Sequence, residues 1–285
     1  MFLSYDRRFI MFFTKMHGAG NDFIIIDNRD GRFPDDELSS LAVKLCAVHT
    51  GVGADGLMVV RESTAADYAM IFYNNDGSIG EMCGNGARCI CRYGHDNGLA
   101  GDVQRVETTS GIIIGKRIDE RRYRVRLNDP SVIDLHRAVE VNGTVYDCAY
   151  VELGVPGLPH AVVRLDEWDA MDINALRELG RNLRWADVFP KGANVTFVKK
   201  LSDSEWKAVT FERGVEDFTL ACGTGCGSAV TALTLLGLVS GRNISIHMPG
   251  GTIEISLDAE NGWVKNILIT GPTAVVFKGE LLEIE

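Results

Sequence analysis

The chain has 285 residues, 46% of them hydrophobic and 24% charged. That balance fits a folded, soluble globular protein and excludes collagen-like, low-complexity and disordered classes. With 29 basic against 39 acidic residues the formal charge is −10, which argues against nucleic acid or an anionic membrane as the main partner. No segment supplies the roughly 18 apolar residues of a membrane span; the stretch from Ala229 to Val239 is broken by threonines and a glycine.

In chain order, the N-terminal MFLSYDRRFIMFF lacks the small-residue cleavage site of a secretory leader. Met11 opens the first strand-like run, so residues 1–10 read as lying upstream of the natural start. A strand is expected at Phe23–Asp27. Pro34-Asp35-Asp36 then reads as a helix start, with Leu38, Leu41, Leu45 and Val48 at helical spacing. Strands follow at Leu57–Val60 and Tyr68–Tyr73, the second running into the Asn-Asp-Gly turn at 75–77. A cysteine and a glycine-rich turn lead into a helix, Ala87–Asp96, stopped by Asn97-Gly98. The second half repeats the series: a strand at Ala161–Leu165, a helix opened by Asp172 with Ile173, Leu176, Leu179 and Leu183, and strands at Val195–Val198 and Trp206–Glu212. It ends in a cysteine, a glycine-rich turn and a helix, Gly227–Val239, stopped by Gly241. That last helix is apolar almost all round, so it belongs in the centre of its lobe. Further short strands with Gly/Asn turns follow each helix.

The two series are copies. A shift of 139 carries Phe72 and Cys83 onto Phe211 and Cys222, and Gly84 and Gly86 onto Gly223 and Gly225. It also carries Gly53-Ala54 onto Gly192-Ala193 and Gly111 onto Gly250, while GNDFIII from Gly20 resembles GLPHAVV from Gly157 at an offset of 137. Glycines mark special backbone positions, so glycines matched in order imply matched backbone paths. The expected fold is α/β (α+β): two pseudo-symmetric lobes of short mixed strands, each wrapped around a central helix. The N-terminal lobe, 1–129 plus 275–285, carries Cys83; the C-terminal lobe, 130–274, carries Cys222.

The chemistry lies in Met82-Cys83-Gly84-Asn85-Gly86 and Ala221-Cys222-Gly223-Thr224-Gly225. Each places a cysteine directly before a helix, where unpaired backbone N–H groups and the positive dipole end lie. A thiol there is expected to have its pKa lowered, into about the 3.5–7.5 range, and the same N–H groups suit a carboxylate. If the doubling brings both turns to one cleft, one thiolate removes an α-proton and the opposite thiol returns one to the other face. That is cofactor-independent inversion of a stereocentre by general acid–base catalysis, with fixed donors stabilising the carbanion's charge.

Other readings of the seven cysteines compete. Free cysteine usually packs as a small apolar side chain, the reading adopted for Cys46 and Cys148 and extended to Cys89, Cys91 and Cys226. A metal site would need spacings other than C-x5-C-x-C and C-x3-C, and the absence of C-x-x-C weakens a disulfide-exchange pair. The odd count places the thiols, free, in a reducing cytoplasm.

Four segments together, HGAGNDF (17–23), NNDGSIGEMCGNGAR (74–88), GANVTF (192–197) and ERG…ACGTG (212–214, 221–225), make the chain resemble the diaminopimelate epimerases from Met11 to the C-terminus. The resemblance implies a cofactor-independent isomerase that interconverts LL- and meso-diaminopimelate in lysine and peptidoglycan precursor synthesis. It implies no metal, no nucleic-acid or membrane partner, and a small-molecule substrate; a homodimer is one reading of its assembly. Carried over by motif, Cys83 and Cys222 are the catalytic pair. Gly84, Asn85, Gly223 and Thr224 hold the reacting carboxylate, Asn21, Asn74, Asn194, Glu212 and Arg213 contact the substrate, and His160 supports the thiols. Arg213 offers the planar fork that a distal carboxylate requires. Taken singly, Glu212-Arg213 reads as a surface ion pair and the asparagines as turn residues.

Two departures bear on specificity. Many family members carry glutamine where this chain has Gly56, and GVPGLPH (154–160) is longer than the family's Gly-Asn-Pro-His and sets Leu158 at the asparagine. Both remove a polar side chain from the expected distal site, and a buried polar ligand group left unpaired changes specificity strongly. Another two-cysteine racemase of the same fold is therefore the rival reading. Proline racemases show Cys-Gly-His, and here Asn85 follows Gly84. A non-catalytic thiol protein that binds metal or senses oxidation is the reading from a different class.

Overall fold

The computed structural model describes residues 11–80 and 83–282. Residues 1–10, and Met82 of the first cysteine motif, lie outside them. The elements run β1 (Met11–Gly18), β2 (Asn21–Asp27), α1 (Asp35–Cys46), β3 (Gly56–Arg61), β4 (Tyr68–Asn74), α2 (Gly84–Asp96), β5 (Val103–Thr108), β6 (Gly111–Arg117) and β7 (Arg122–Arg126). They continue β8 (Pro130–Val141), β9 (Thr144–Leu153), β10 (Leu158–Arg164), α3 (Ile173–Arg184), β11 (Asn194–Lys200), β12 (Glu205–Phe211), β13 (Phe218–Thr219) and α4 (Gly223–Leu235). The chain ends with β14 (Ile244–Met248), β15 (Gly251–Glu260), β16 (Trp263–Pro272) and β17 (Ala274–Leu281). It divides into two compact units: one runs through Tyr123 and resumes at Thr273, and the other is Arg124–Pro272.

The first unit pairs its strands in the order β17-β1-β2-β3-β4-β5-β6, with β2/β3 and β4/β5 parallel and the rest antiparallel. The second follows the order β8-β9-β10-β11-β12-β14-β15-β16, with β10/β11 and β12/β14 parallel. Each parallel pair needs a crossover, and a helix supplies it: α1 and α2 in the first unit, α3 and α4 in the second. The same series of orientations in both units is the structural form of the doubling.

Alternation along the strands sorts side chains to two faces. Ile24, Ile26, Leu57 and Val59 pack with Leu38, Leu41, Ala42 and Leu45 of α1. On the second unit Ala161, Val163, Val195, Phe197, Val209 and Phe211 pack with Leu176, Leu179 and Leu183 of α3. The opposite faces receive α2, which contacts β1, β2, β5 and β6, and α4, which contacts β8, β9, β10, β11, β15 and β16. Burial of nearly every α4 residue, from Gly225 through Leu233, matches its all-round apolarity.

Three sequence expectations are corrected. The α4 helix ends at Leu235, not at Gly241. Gly237 (φ +72°) takes the left-handed position that a side chain resists, and Leu238 N–H closes on Leu233 O at 2.9 Å. The α2 helix ends the same way 139 residues earlier, with Gly98 at φ +70° and Leu99 N–H to Gly94 O at 2.8 Å. Val48 does not continue α1: the helix stops at Cys46, the chain folds back so that Val52 and Gly53 donate to Leu45 O, and Val48 is 77% exposed. The partner of Gly111 is Gly251 rather than Gly250, since Gly111 and Gly251 open β6 and β15 and both have positive φ. By contrast, Asp172 caps α3 as its sequence position implies, accepting from Asn174 N and Ala175 N.

Candidate active site: two thiol half-sites

In each unit the cysteine is the residue that precedes the central helix, in extended conformation: Cys83 at φ −99°, ψ 123° and Cys222 at φ −116°, ψ 103°. Their carbonyls accept the first helical bonds, from Ala87 N at 2.8 Å and Cys226 N at 3.0 Å. The N–H groups of the first turn are thereby left facing away from the helix body, as donors for an anion.

Close approach of helix to sheet explains the glycines. A methyl group on Gly225 would come 2.8 Å from Thr196 Oγ1 and 3.0 Å from Thr210 Oγ1, two fully buried hydroxyls that bond each other at 3.1 Å. One on Gly86 would meet the Met58 methyl. Inside α2, the buried Arg88 donates to Asn85 Oδ1 at 2.7 Å and Gly84 O at 3.1 Å, stiffening the turn. The 139-residue shift puts Gly227 at this place in α4, where a methyl would lie 2.8 Å from Leu127.

Around Cys83 the structure gathers Asn21 and Asn85. The thiol donates to Asn21 Oδ1 at 3.3 Å, and Asn85 Nδ2 donates to the same oxygen at 3.4 Å. Asn74, at the end of β4, donates to Ser78 Oγ at 2.9 Å across the turn. The thiol here is half-buried.

Around Cys222 burial is deeper. The sulfur lies 3.6 Å from Thr224 Oγ1, and the residue is 7% exposed. Burial pushes this thiol well above the ordinary cysteine range, and the negative field of Glu212 adds to that; hydrogen bonds from Thr224 and the Gly225 N–H oppose it. The expectation of a lowered pKa is therefore overturned for Cys222, because loss of water costs the thiolate more than the helix start returns. Glu212 itself accepts from Thr219 Oγ1 at 2.6 Å.

Asn194 begins β11 and His160 lies on β10, and the two are direct register partners. Asn194 donates to Pro159 O at 3.3 Å and accepts the backbone N–H of Arg213 at 2.7 Å. The Arg213 guanidinium donates to Lys191 O at 3.2 Å. His160 is fully buried, and neither ring nitrogen has a hydrogen-bond partner among the described residues. Burial, with Arg213 nearby, holds its pKa down at about 3, so it is neutral at neutral pH. Sequence reading missed Asp55, which accepts from Asn21 Nδ2 at 2.6 Å. Its signal was available: the shift that carries Gly53-Ala54 onto Gly192-Ala193 carries Asp55 onto Asn194.

Among the described residues no helix is long and apolar enough to cross a membrane, and no group of three or more His, Cys, Asp or Glu residues is placed to hold a metal ion.

The diaminopimelate epimerase family model matches residues 13–132 and 155–276. The chain belongs to the diaminopimelate epimerase family. A diaminopimelate epimerase of Aquifex aeolicus is 37% identical over 96% of this chain and 98% of its own, and one of Methanothrix thermoacetophila is 36% identical over 94% of each. As a member of this epimerase family the chain is an isomerase. Its fold is similar to that of a Bacillus anthracis phenazine biosynthesis protein of the PhzF family, with TM-score 0.74, 16% identity and coverage of 96% of this chain and 99% of the other. It is also similar to a probable proline racemase from Agrobacterium radiobacter, with TM-score 0.68, 17% identity and coverage of 95% and 93%. The two-lobed, strand-rich diaminopimelate epimerase-like fold is thus common to several activities, and the epimerase family membership rests on the closer sequence matches.

Proposed function

We propose that the chain epimerises LL-diaminopimelate to meso-diaminopimelate without a cofactor, with Cys83 and Cys222 as the acid–base pair. The observation that carries this reading is the doubled thiol turn: in a chain of this family, each unit presents one cysteine as the residue preceding its central helix.

In the forward step one sulfur, as thiolate, takes the α-proton and becomes a thiol. The electron pair left on carbon spreads onto the α-carboxylate, where N–H groups of Gly84, Asn85, Gly223 and Thr224 stabilise the added charge. The second thiol gives its proton to the other face and becomes the thiolate, so the two sulfurs exchange states with each turnover. The substrate's ammonium group supplies the positive charge that favours a thiolate at so buried a place as Cys222. Neutral His160 brings no competing cation. Arg213, with its backbone fixed by Asn194, is assigned the distal carboxylate. The Asn21, Asn74 and Glu212 side chains are assigned the substrate's remaining polar groups. The setting is lysine and peptidoglycan precursor synthesis in the cytoplasm.

A second reading, an amino-acid epimerase of the same fold with another distal specificity, is favoured by one observation: Gly56 and Leu158 offer no polar side chain where the family resemblance places glutamine and asparagine.

The test is deuterium uptake from D2O at the α-carbon of LL-diaminopimelate, with lysine, glutamate and proline alongside. Uptake confined to diaminopimelate supports the first reading and uptake on another amino acid the second; none on any substrate overturns both. Cys83→Ser and Cys222→Ser are each expected to cut turnover by about 10²- to 10⁴-fold, with unfolding midpoints little changed.

A further inference from the structure

We propose that Asp55 is a positioning residue for Cys83: its carboxylate fixes which end of the Asn21 amide faces the sulfur. A carboxylate only accepts hydrogen bonds, so the 2.6 Å contact from Asn21 Nδ2 to Asp55 Oδ2 obliges the amide nitrogen to point at Asp55. The carbonyl oxygen is then turned toward Cys83 Sγ, at 3.3 Å, and toward Asn85 Nδ2. A carbonyl in that place accepts from a thiol and repels a thiolate, so this amide orientation favours the protonated sulfur. The opposite orientation would donate to a thiolate instead.

Asp55 is itself held. Its N–H donates to Asp22 Oδ1 at 3.0 Å, and its Oδ2 accepts the Asp22 N–H at 3.1 Å. Lys15 bridges to Asp22 at 2.5 Å and donates to the Gly53 carbonyl, so a buried cation lies against the Asp22 carboxylate that holds Asp55. The other titratable and charged groups near this cluster are His17, which accepts from Gly20 N at the β1–β2 turn, Cys46 at the end of α1, and Arg88 and Cys89 of α2. In the second unit the corresponding Asn194 is neutral and grips backbone alone. The device therefore belongs to one thiol only. It deepens the two-thiol reading proposed above, but its test needs no turnover.

The measurement is the pH dependence of Cys83 alkylation by iodoacetamide in the full chain, followed site by site by mass spectrometry. In Asp55→Asn the Asn21 amide is released to turn, and the midpoint for Cys83 is expected to fall by about half a pH unit or more, with that of Cys222 unmoved. Removing a negative charge lowers the midpoint without any reorientation, so the same change is made in an Asn21→Ser background. Positioning requires the shift there to shrink to less than about a third, as coupled residues in a double-mutant cycle do. Equal shifts in both backgrounds, or none in either, overturn the proposal. Asp55 is exposed, so its replacement spares the core; should Asp55→Asn fail to fold, Asp55→Ser carries the same comparison. Asp55→Glu is expected to restore the original midpoint. A result against Asp55 leaves deuterium exchange at the α-carbon intact, whereas loss of that exchange leaves the alkylation result standing.

Discussion

The ring of Phe72 fills the space that a side chain on Gly56 would need. The two are register neighbours across β3 and β4, where Met58 pairs with Phe72 and Gly56 with Asn74. A methyl on Gly56 would strike the ring and come 2.6 Å from Tyr73 O. Phe72 is further anchored edge-on against Phe23, with centroids 5.8 Å apart. Gly56→Gln, which introduces the residue that the family resemblance leads one to expect there, is therefore expected to destabilise the protein by about 1–3 kcal/mol through overpacking. Adding Phe72→Val should recover part of that loss in urea unfolding. A fully stable single variant would show that the ring yields.

Thiol reactivity should be strongly ordered in the ligand-free protein. Cys83 is half-buried, whereas Cys46, Cys89, Cys91 and Cys148 are buried and pushed up to about 12 by loss of water. Cys222 is raised as well. Because the thiolate is the reacting form, iodoacetamide at neutral pH should label Cys83 first and leave Cys222 to react slowly; peptide mass spectrometry reads the order.

His160 should make the fold sensitive to acid over a defined window. Its folded pKa, about 3, lies below the unfolded value of about 6.5. Between these values the unfolded chain binds a proton that the folded one refuses, so stability falls as pH drops from about 6.5 toward 3. Above that window the contribution is constant. His160→Leu is expected to flatten this part of the stability–pH curve in urea titrations, and an unchanged slope would place the acid sensitivity elsewhere.

The two helix-start glycines should differ in their tolerance of a methyl. Gly225→Ala presses on Thr196 and Thr210, hydroxyls locked together in the sheet, and is expected to cost about 1–3 kcal/mol. Gly86→Ala meets the mobile end of Met58, which can turn aside, so its loss should be smaller. Paired denaturation curves decide between them.

Local pattern made much of the fold legible. Short apolar runs marked the strands around Phe23, Leu57, Ala161 and Val195, and Asp172 announced its helix, since each signal depends on neighbours in sequence. The end of α4 was not legible, because Leu238 and Val239 extend the apolar run past the glycine where the backbone turns. Val48 kept the helical spacing after the helix had stopped. The cysteine turns stood out through their repetition. The high pKa of Cys222 did not, since it arises from burial in the folded chain and from the field of Glu212. Nor did Asp55, whose partner Asn21 is 34 residues away and arrives through the parallel register of β2 and β3.

The contrast between Arg88 and Gly227 limits how far the two copies remain interchangeable. One helix braces its own entrance from within by a guanidinium; the other gives up a side chain so that Leu127 can press against its backbone. A chimera with α2 grafted in place of α4 would drive a cation into a leucine, and the reciprocal graft would leave the Cys83 turn unsupported. Inheritance from a common template has ended in two parts, each machined to its own housing.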